Sequence, residues 1–235
     1  MIGSHAKVPI EHLYLETGSL PLSYVISARR MIYLKTLLDR HDGELTRRVY
    51  NAQLINITNG DWCELIKSDF KFYDIPMNEQ SIKNMSIFSY KKFIKQKVRN
   101  TAFKNLQHIK NTHSKVKNNH YNYFAPQEYL LNKSFTNEQC SLLFNLRCRS
   151  VRDIKRNFPD QNGDNGNCPL CEVFPDTQEH LFECVVLRSK VKNLNTTHIK
   201  YDFIFSDTND QKEAVSLIAH LLSVRDKIIT KEGTH

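Results

Sequence analysis

Three thiols and one imidazole fall within seventeen residues, CPLCEVFPDTQEHLFEC, spaced Cys168-x2-Cys171-x8-His180-x3-Cys184. A Cys-x2-Cys turn can set two sulfurs on one tetrahedral ion. Two further ligands four residues apart share a face when they ride on a helix. Pro175 precedes Asp176, an N-cap residue type, and Glu179 follows three later, so DTQE reads as a capping box that opens such a helix. Cys168, Cys171, His180 and Cys184 are therefore expected to hold one structural Zn²⁺. Four protein donors leave no position for a reactive water. The H-x-E arrangement of zinc deaminases is also absent, since Leu181 and Phe182 follow His180. Cys63, Cys140 and Cys148 have no paired spacing and read as buried or free thiols; His5, His41, His108, His113 and His120 have no evident ligand partner.

The second chemical signal is charge. The chain of 235 residues carries a net charge of +8, and it is unevenly placed. From Gln80 to Gln127 there is no Asp or Glu, against ten Lys and Arg. Lys91, Lys92, Lys95, Lys97, Arg99 and Lys104 are the candidate contacts of this block to an anionic partner, nucleic acid first. A second basic set, Arg147, Arg149, Arg152, Lys155 and Arg156, has its arginines 149, 152 and 156 at i, i+3 and i+7. The cysteine stretch is the opposite: it holds Glu172, Asp176, Glu179 and Glu183 and no Lys or Arg. Three thiolates on Zn²⁺ add a further negative charge, so phosphates are repelled there. The expected role of the metal is that of a brace, fixing the preceding helix so that its arginines face outward. The aromatic stretch HYNYFAPQEYLLNKSF, 120–135, reads as a connector with one helical turn whose rings pack inward.

The elements that must position these groups are mainly α-helical. Only seven glycines and seven prolines occur. A short helix is expected to end near Gly18, a longer one to start near Pro21, and others to run over Glu44–Ile55 and from Asp61-Trp62 onward. These form a bundle-like helical unit, 1–77. The basic segment 78–120 contains a long helix, with Ile94, Val98, Ala102, Leu106 (or Phe103) and Ile109 recurring at spacings of three and four. A zinc-binding region, 121–205, holds a basic helix 137–158, a CCHC knuckle 168–184 and a short strand or extended piece at Ile199–Phe205. An amphipathic helix within 206–235 closes the chain. No apolar run approaches the ~18 residues of a membrane span, and the first residues lack the apolar core of a signal peptide, so an intracellular location is expected.

CPLC followed by DTQEHLFEC closely resembles the zinc-binding element after the polymerase domain of non-LTR (LINE-type) retrotransposon reverse transcriptases. LYLETGSLPLSYVISARRMIYLKTLLDR, ELTRRVYNAQ and GDW resemble the helical region that follows the palm in those polyproteins; HSKVKNNHY, FNLRCRSVRDIKRNF and KYDFIF match more loosely. The resemblance implies a C-terminal piece of an RNA-directed DNA polymerase polyprotein. Its partners would be element RNA or target DNA and the polymerase domain of the same polyprotein, in a nuclear or cytoplasmic ribonucleoprotein. The chain departs from the family in lacking a Tyr/Phe-x-Asp-Asp motif and any recognisable nuclease, so no enzymatic activity is expected of it. The alternative reading is a zinc-stabilised protein-interaction module that docks on the polymerase body or a host factor.

Overall fold

A computed structural model describes residues 8–117, 119–151, 166–191, 199–205 and 208–232. Eleven α-helices and no strand are found among the described residues, so the chain is mainly helical as expected. It divides into two compact units, one made of residues 20–108 and the other of 1–19 with 109–235.

The 20–108 unit holds α2 (Leu22–Leu38), α3 (Leu45–Ile55), α4 (Trp62–Phe72), α5 (Glu79–Asn84) and most of α6 (Ile87–Thr112). The starts follow the sequence signals. Pro21 and Glu44 stand at the caps of α2 and α3, and the Asp61 carboxylate accepts the Glu64 N–H at the start of α4. Met31 and Leu34 of α2, Ile66 and Phe70 of α4, and Tyr90, Ile94 and Val98 of α6 form one core. Burying such side chains contributes about 1.5–3 kcal/mol each. Polar ties between the helices accompany this core. Arg30 of α2 donates from Nε and Nη2 to both carboxylate oxygens of Asp69 on α4 (2.7 and 3.0 Å), and the buried Lys35 donates to the Lys83 carbonyl in the last turn of α5 (3.0 Å). The acid-free α6 therefore has one buried stripe, Tyr90, Ile94, Val98, Ala102 and Leu106, and its basic residues lie off that stripe.

The other unit begins with α1 (Ile10–Thr17) and continues with α7 (Glu128–Leu131), α8 (Asn137–Arg147), α9 (His180–Glu183), α10 (Val185–Lys190), a 3-10 turn at Tyr201–Phe205 and α11 (Thr208–Glu232). Leu143 and Leu146, Leu181 and Leu187, and Val215, Ile218 and Leu221 share its core. The division differs from the expected 1–77 unit, because α1 belongs with the C-terminal half. Glu16 and His12 of α1 are fully buried and bonded to residues more than 100 positions away.

Gly18 ends α1 at φ 66°, and a Cβ placed there would overlap the backbone of Ala125. Gly18→Ala therefore meets both left-handed strain and a rigid obstacle. The expected loss is upwards of about 2 kcal/mol, read as a lowered urea midpoint.

Two expectations are corrected here. The helix expected over 137–158 stops at Arg147. Arg149 adopts φ 51°, the Arg149 N–H reaches the Leu146 carbonyl (3.1 Å) and the Ser150 N–H the Asn145 carbonyl (2.8 Å). That pair of bonds is a Schellman stop. The residue at the left-handed position is an arginine where glycine is usual, so the stop carries no sequence flag. The piece expected to be extended at Ile199–Phe205 is a 3-10 turn over Tyr201–Phe205. Its Ile204 carbonyl is taken by side chains, Arg147 and Gln211, rather than by a partner strand.

Candidate metal centre

The loop that carries the first two cysteines is folded by its own backbone. Gly166 sits at φ 67°, the Cys168 N–H donates to the Phe174 carbonyl (2.8 Å), and the Asp176 N–H donates to the Gly166 carbonyl (2.8 Å). Asn167 and Pro175 face each other as an isolated antiparallel bridge. Glu172 closes the turn at φ 57°, with its N–H on the Cys168 carbonyl (2.8 Å) and the Asn167 side chain donating to its own carbonyl (3.0 Å).

The other two ligands come from α9 and its end. The helix starts later than the capping box predicts. Thr177 Oγ1 accepts the His180 N–H (3.1 Å), and the Cys184 N–H bonds back to the His180 carbonyl (2.8 Å). Cys184 then caps α10, with backbone φ −59° and ψ 111°. The two acids of the expected box are engaged elsewhere. Asp176 accepts from Arg225 Nη2 on α11 (2.6 Å), a pair 1% and 4% exposed, and Glu179 accepts from Arg149 (2.5 Å). Gln178 adds a third tie, donating to the Leu146 carbonyl at the end of α8 (3.0 Å) and to the Tyr201 hydroxyl (2.5 Å).

These ties bring the four donors together. Cys168, Cys171, His180 and Cys184 present ligand atoms that all lie within 4.8 Å of one another. Cys168 Sγ is 3.9 Å from Cys184 Sγ, and Cys171 Sγ is 3.3 Å from His180 Nε2. A tetrahedral ion with bonds of about 2.3 Å to sulfur and about 2.05 Å to nitrogen needs edges of about 3.8 and 3.6 Å. The group can therefore hold a metal ion with small adjustment. Cys168, His180 and Cys184 are buried and Cys171 is half-buried. Burial pushes the Cys168 thiol upward. Burial acts in the same sense on Cys171, but N–H groups of Phe174 and Val173 and the His180 contact outweigh it and bring that thiol down to about 6. Backbone N–H groups aimed at a sulfur are the outer support that a thiolate ligand needs. The Phe174 ring, 5.7 Å from the imidazole centroid, covers His180.

The basic residues fare differently. Lys91, Lys92, Lys95, Arg99 and Lys104 are exposed along α6, and Lys97 is half-buried. No ion pair involves Lys91, Lys92, Lys95, Lys97 or Lys104 among the described residues. Arg147, expected on an outward ridge, is 3% exposed. Its Nε donates to Glu16 Oε1 (2.7 Å), Nη2 to the His120 carbonyl (2.9 Å) and Nη1 to the Ile204 carbonyl (3.3 Å). Arg149 lies off the helix and is held by Glu179, so it does not continue a helical stripe. Arg152, Lys155 and Arg156 lie outside the described residues.

The sequence reading missed the network around Arg147, because each partner is distant in the chain. Tyr129 donates to Glu16 Oε2 (2.9 Å), and the Tyr121, Tyr129 and Phe205 rings surround the guanidinium at 5.6–6.0 Å. Burial holds His12 below its ordinary pKa. As a neutral ring it donates from Nε2 to the Phe144 carbonyl (3.1 Å) and accepts at Nδ1 from the Tyr121 hydroxyl (3.0 Å). The connector aromatics Tyr121 and Tyr129 thus face the interior, as the sequence reading preferred.

No helix of the described residues is long and apolar enough to cross a membrane. Comparison of the chain with protein-family models, with curated proteins and with solved structures finds no match in any of the three.

Proposed function

We propose that Cys168, Cys171, His180 and Cys184 hold one structural Zn²⁺ in a CCHC knuckle that braces the C-terminal unit, and that the chain binds nucleic acid through α6. On the resemblance of CPLC…DTQEHLFEC, this is a C-terminal portion of a LINE-type reverse transcriptase polyprotein, contributing nucleic-acid binding and no chemistry of its own. The observation that carries the binding reading is the set of exposed lysines on α6, with no acid from Gln80 to Gln127 and no ion pair to Lys91, Lys92 or Lys95 among the described residues. A one-sided block of exposed cations creates a positive potential that draws an anionic partner. The metal knuckle is acidic, so its part is support for its own unit rather than contact with phosphate.

A salt titration tests this. Binding of the whole chain to a nucleic acid should weaken steeply with ionic strength. Lys91→Ala/Lys95→Ala should flatten the log K against log salt slope by about 1.4 on a single strand. An unchanged slope removes α6 from the interface. A second reading, docking on a protein, is favoured by Val173, Phe174 and Val185, which stand exposed beside Glu172 and Glu183. It predicts binding that is lost on Phe174→Ser and insensitive to the lysine changes.

A further inference from the structure

We infer that Phe88 is a base-stacking platform which makes the α6 row select single-stranded nucleic acid over duplex. The inference rests on the nucleic-acid reading of α6 and adds the class of ligand. Phe88 is 76% exposed in the first turn of α6 and makes no ring contact with another aromatic among the described residues. Single exposed apolar side chains are common and need no explanation alone. The neighbours give this one its meaning. Lys91, Lys92 and Lys95 follow Phe88 at i+3, i+4 and i+7, and Arg99 follows at i+11, which sets all five along one side of the helix. The ring and the last cation are about 16 Å apart along the axis. Tyr90 and Ile94 point away from the centre of this row, into the core, and the Tyr90 hydroxyl donates to the Met31 carbonyl (3.2 Å), which fixes the rotation of the helix at its first turns.

A ring at the head of a row of cations suits a strand whose bases are unpaired. The lysines take successive phosphates and the ring takes the π-face of one base. In a duplex each base face is already covered by its neighbours, so the ring gains nothing there while the lysines still attract the backbone. The stacking face is common to all bases and to RNA and DNA, so no sequence preference is expected from it.

The test uses the whole, metal-loaded chain with three probes: a 20-nucleotide oligo(U), a 20-nucleotide oligo(dT) and a 20-base-pair DNA duplex. Phe88→Ala should weaken both single strands about tenfold and leave the duplex within about twofold, and Phe88→Trp should keep the single-strand affinity. Lys91→Ala/Lys95→Ala should weaken all three probes. Far-UV circular dichroism checks that each exposed-site variant is folded. If Phe88→Ala leaves the single strands unaffected, or weakens the duplex equally, the stacking role is wrong while α6 remains the binding surface. If no probe binds the unaltered chain, both the stacking role and the nucleic-acid reading fall.

Discussion

On the proposed zinc site, replacing Cys184 with serine should abolish stoichiometric zinc and melt the C-terminal unit at a temperature where the 20–108 unit keeps its helices. The size of the effect follows from what the ligands do besides bind. Cys168 and Cys184 are members of the same core as Leu146, Leu181 and Ile218, so the metal site is continuous with the apolar interior. A structural zinc site contributes on the order of 10 kcal/mol in apparent terms, against a total stability of about 5–15 kcal/mol for an ordinary domain. Regular secondary structure in residues 166–184 is confined to one isolated bridge and a four-residue helix, with turn hydrogen bonds and the ties to Arg149, Leu146 and Arg225 around them. Elemental analysis should find one zinc per chain in the unaltered protein and well under half in Cys184→Ser. Hydrogen exchange should show protection lost in α9, α10 and α11 and retained in α2, α4 and α6. Metal-free protein with an unchanged melting curve would end the structural-zinc reading.

Glu16→Ala lowers the urea-unfolding free energy by about 3–5 kcal/mol, and Glu16→Leu/Arg147→Met recovers a large part of it. Both partners are buried, Glu16 at 0% and Arg147 at 3% exposure. Removing only the carboxylate leaves a guanidinium sealed among Tyr121, Tyr129 and Phe205, with two backbone carbonyls as its remaining acceptors and no counter-charge. The Tyr129 hydroxyl loses its acceptor in the same step. Removing both charges leaves apolar volume in an apolar place, which is why the double variant is the informative control. If Glu16→Ala costs under about 1 kcal/mol, water reaches the guanidinium and the site is not sealed.

What could be read from the chain alone follows physical range. Helix starts at Pro21, Glu44 and Asp61, the stop at Gly18 and the inward stripe of α6 depend on residues within a turn or two of each other, and they stand as expected. The grouping of Cys168, Cys171, His180 and Cys184 was legible for the same reason, and the four donors do lie together. The misreadings arise where a local signal is claimed by a distant partner. Asp176 and Glu179 spell a capping box, yet Arg225 and Arg149 engage them, and the His180 N–H goes to Thr177 Oγ1. Arg147 looks like one more surface cation in a basic run, because the acid that buries it is 131 residues earlier. Arg149 hides a helix stop that glycine would have announced.

The Asp176–Arg225 contact has a consequence for how the chain assembles. Asp176 lies between the two ligand pairs, and the cation that meets it rides on the last helix, with Nε and Nη1 of that arginine buried and unmatched. Ordering of the cysteine loop and docking of α11 should therefore be coupled, since burying either partner of this pair without the other leaves a charged group dehydrated without its mate. The last helix thus acts as a latch on the cysteine loop, although it supplies none of the four candidate ligands.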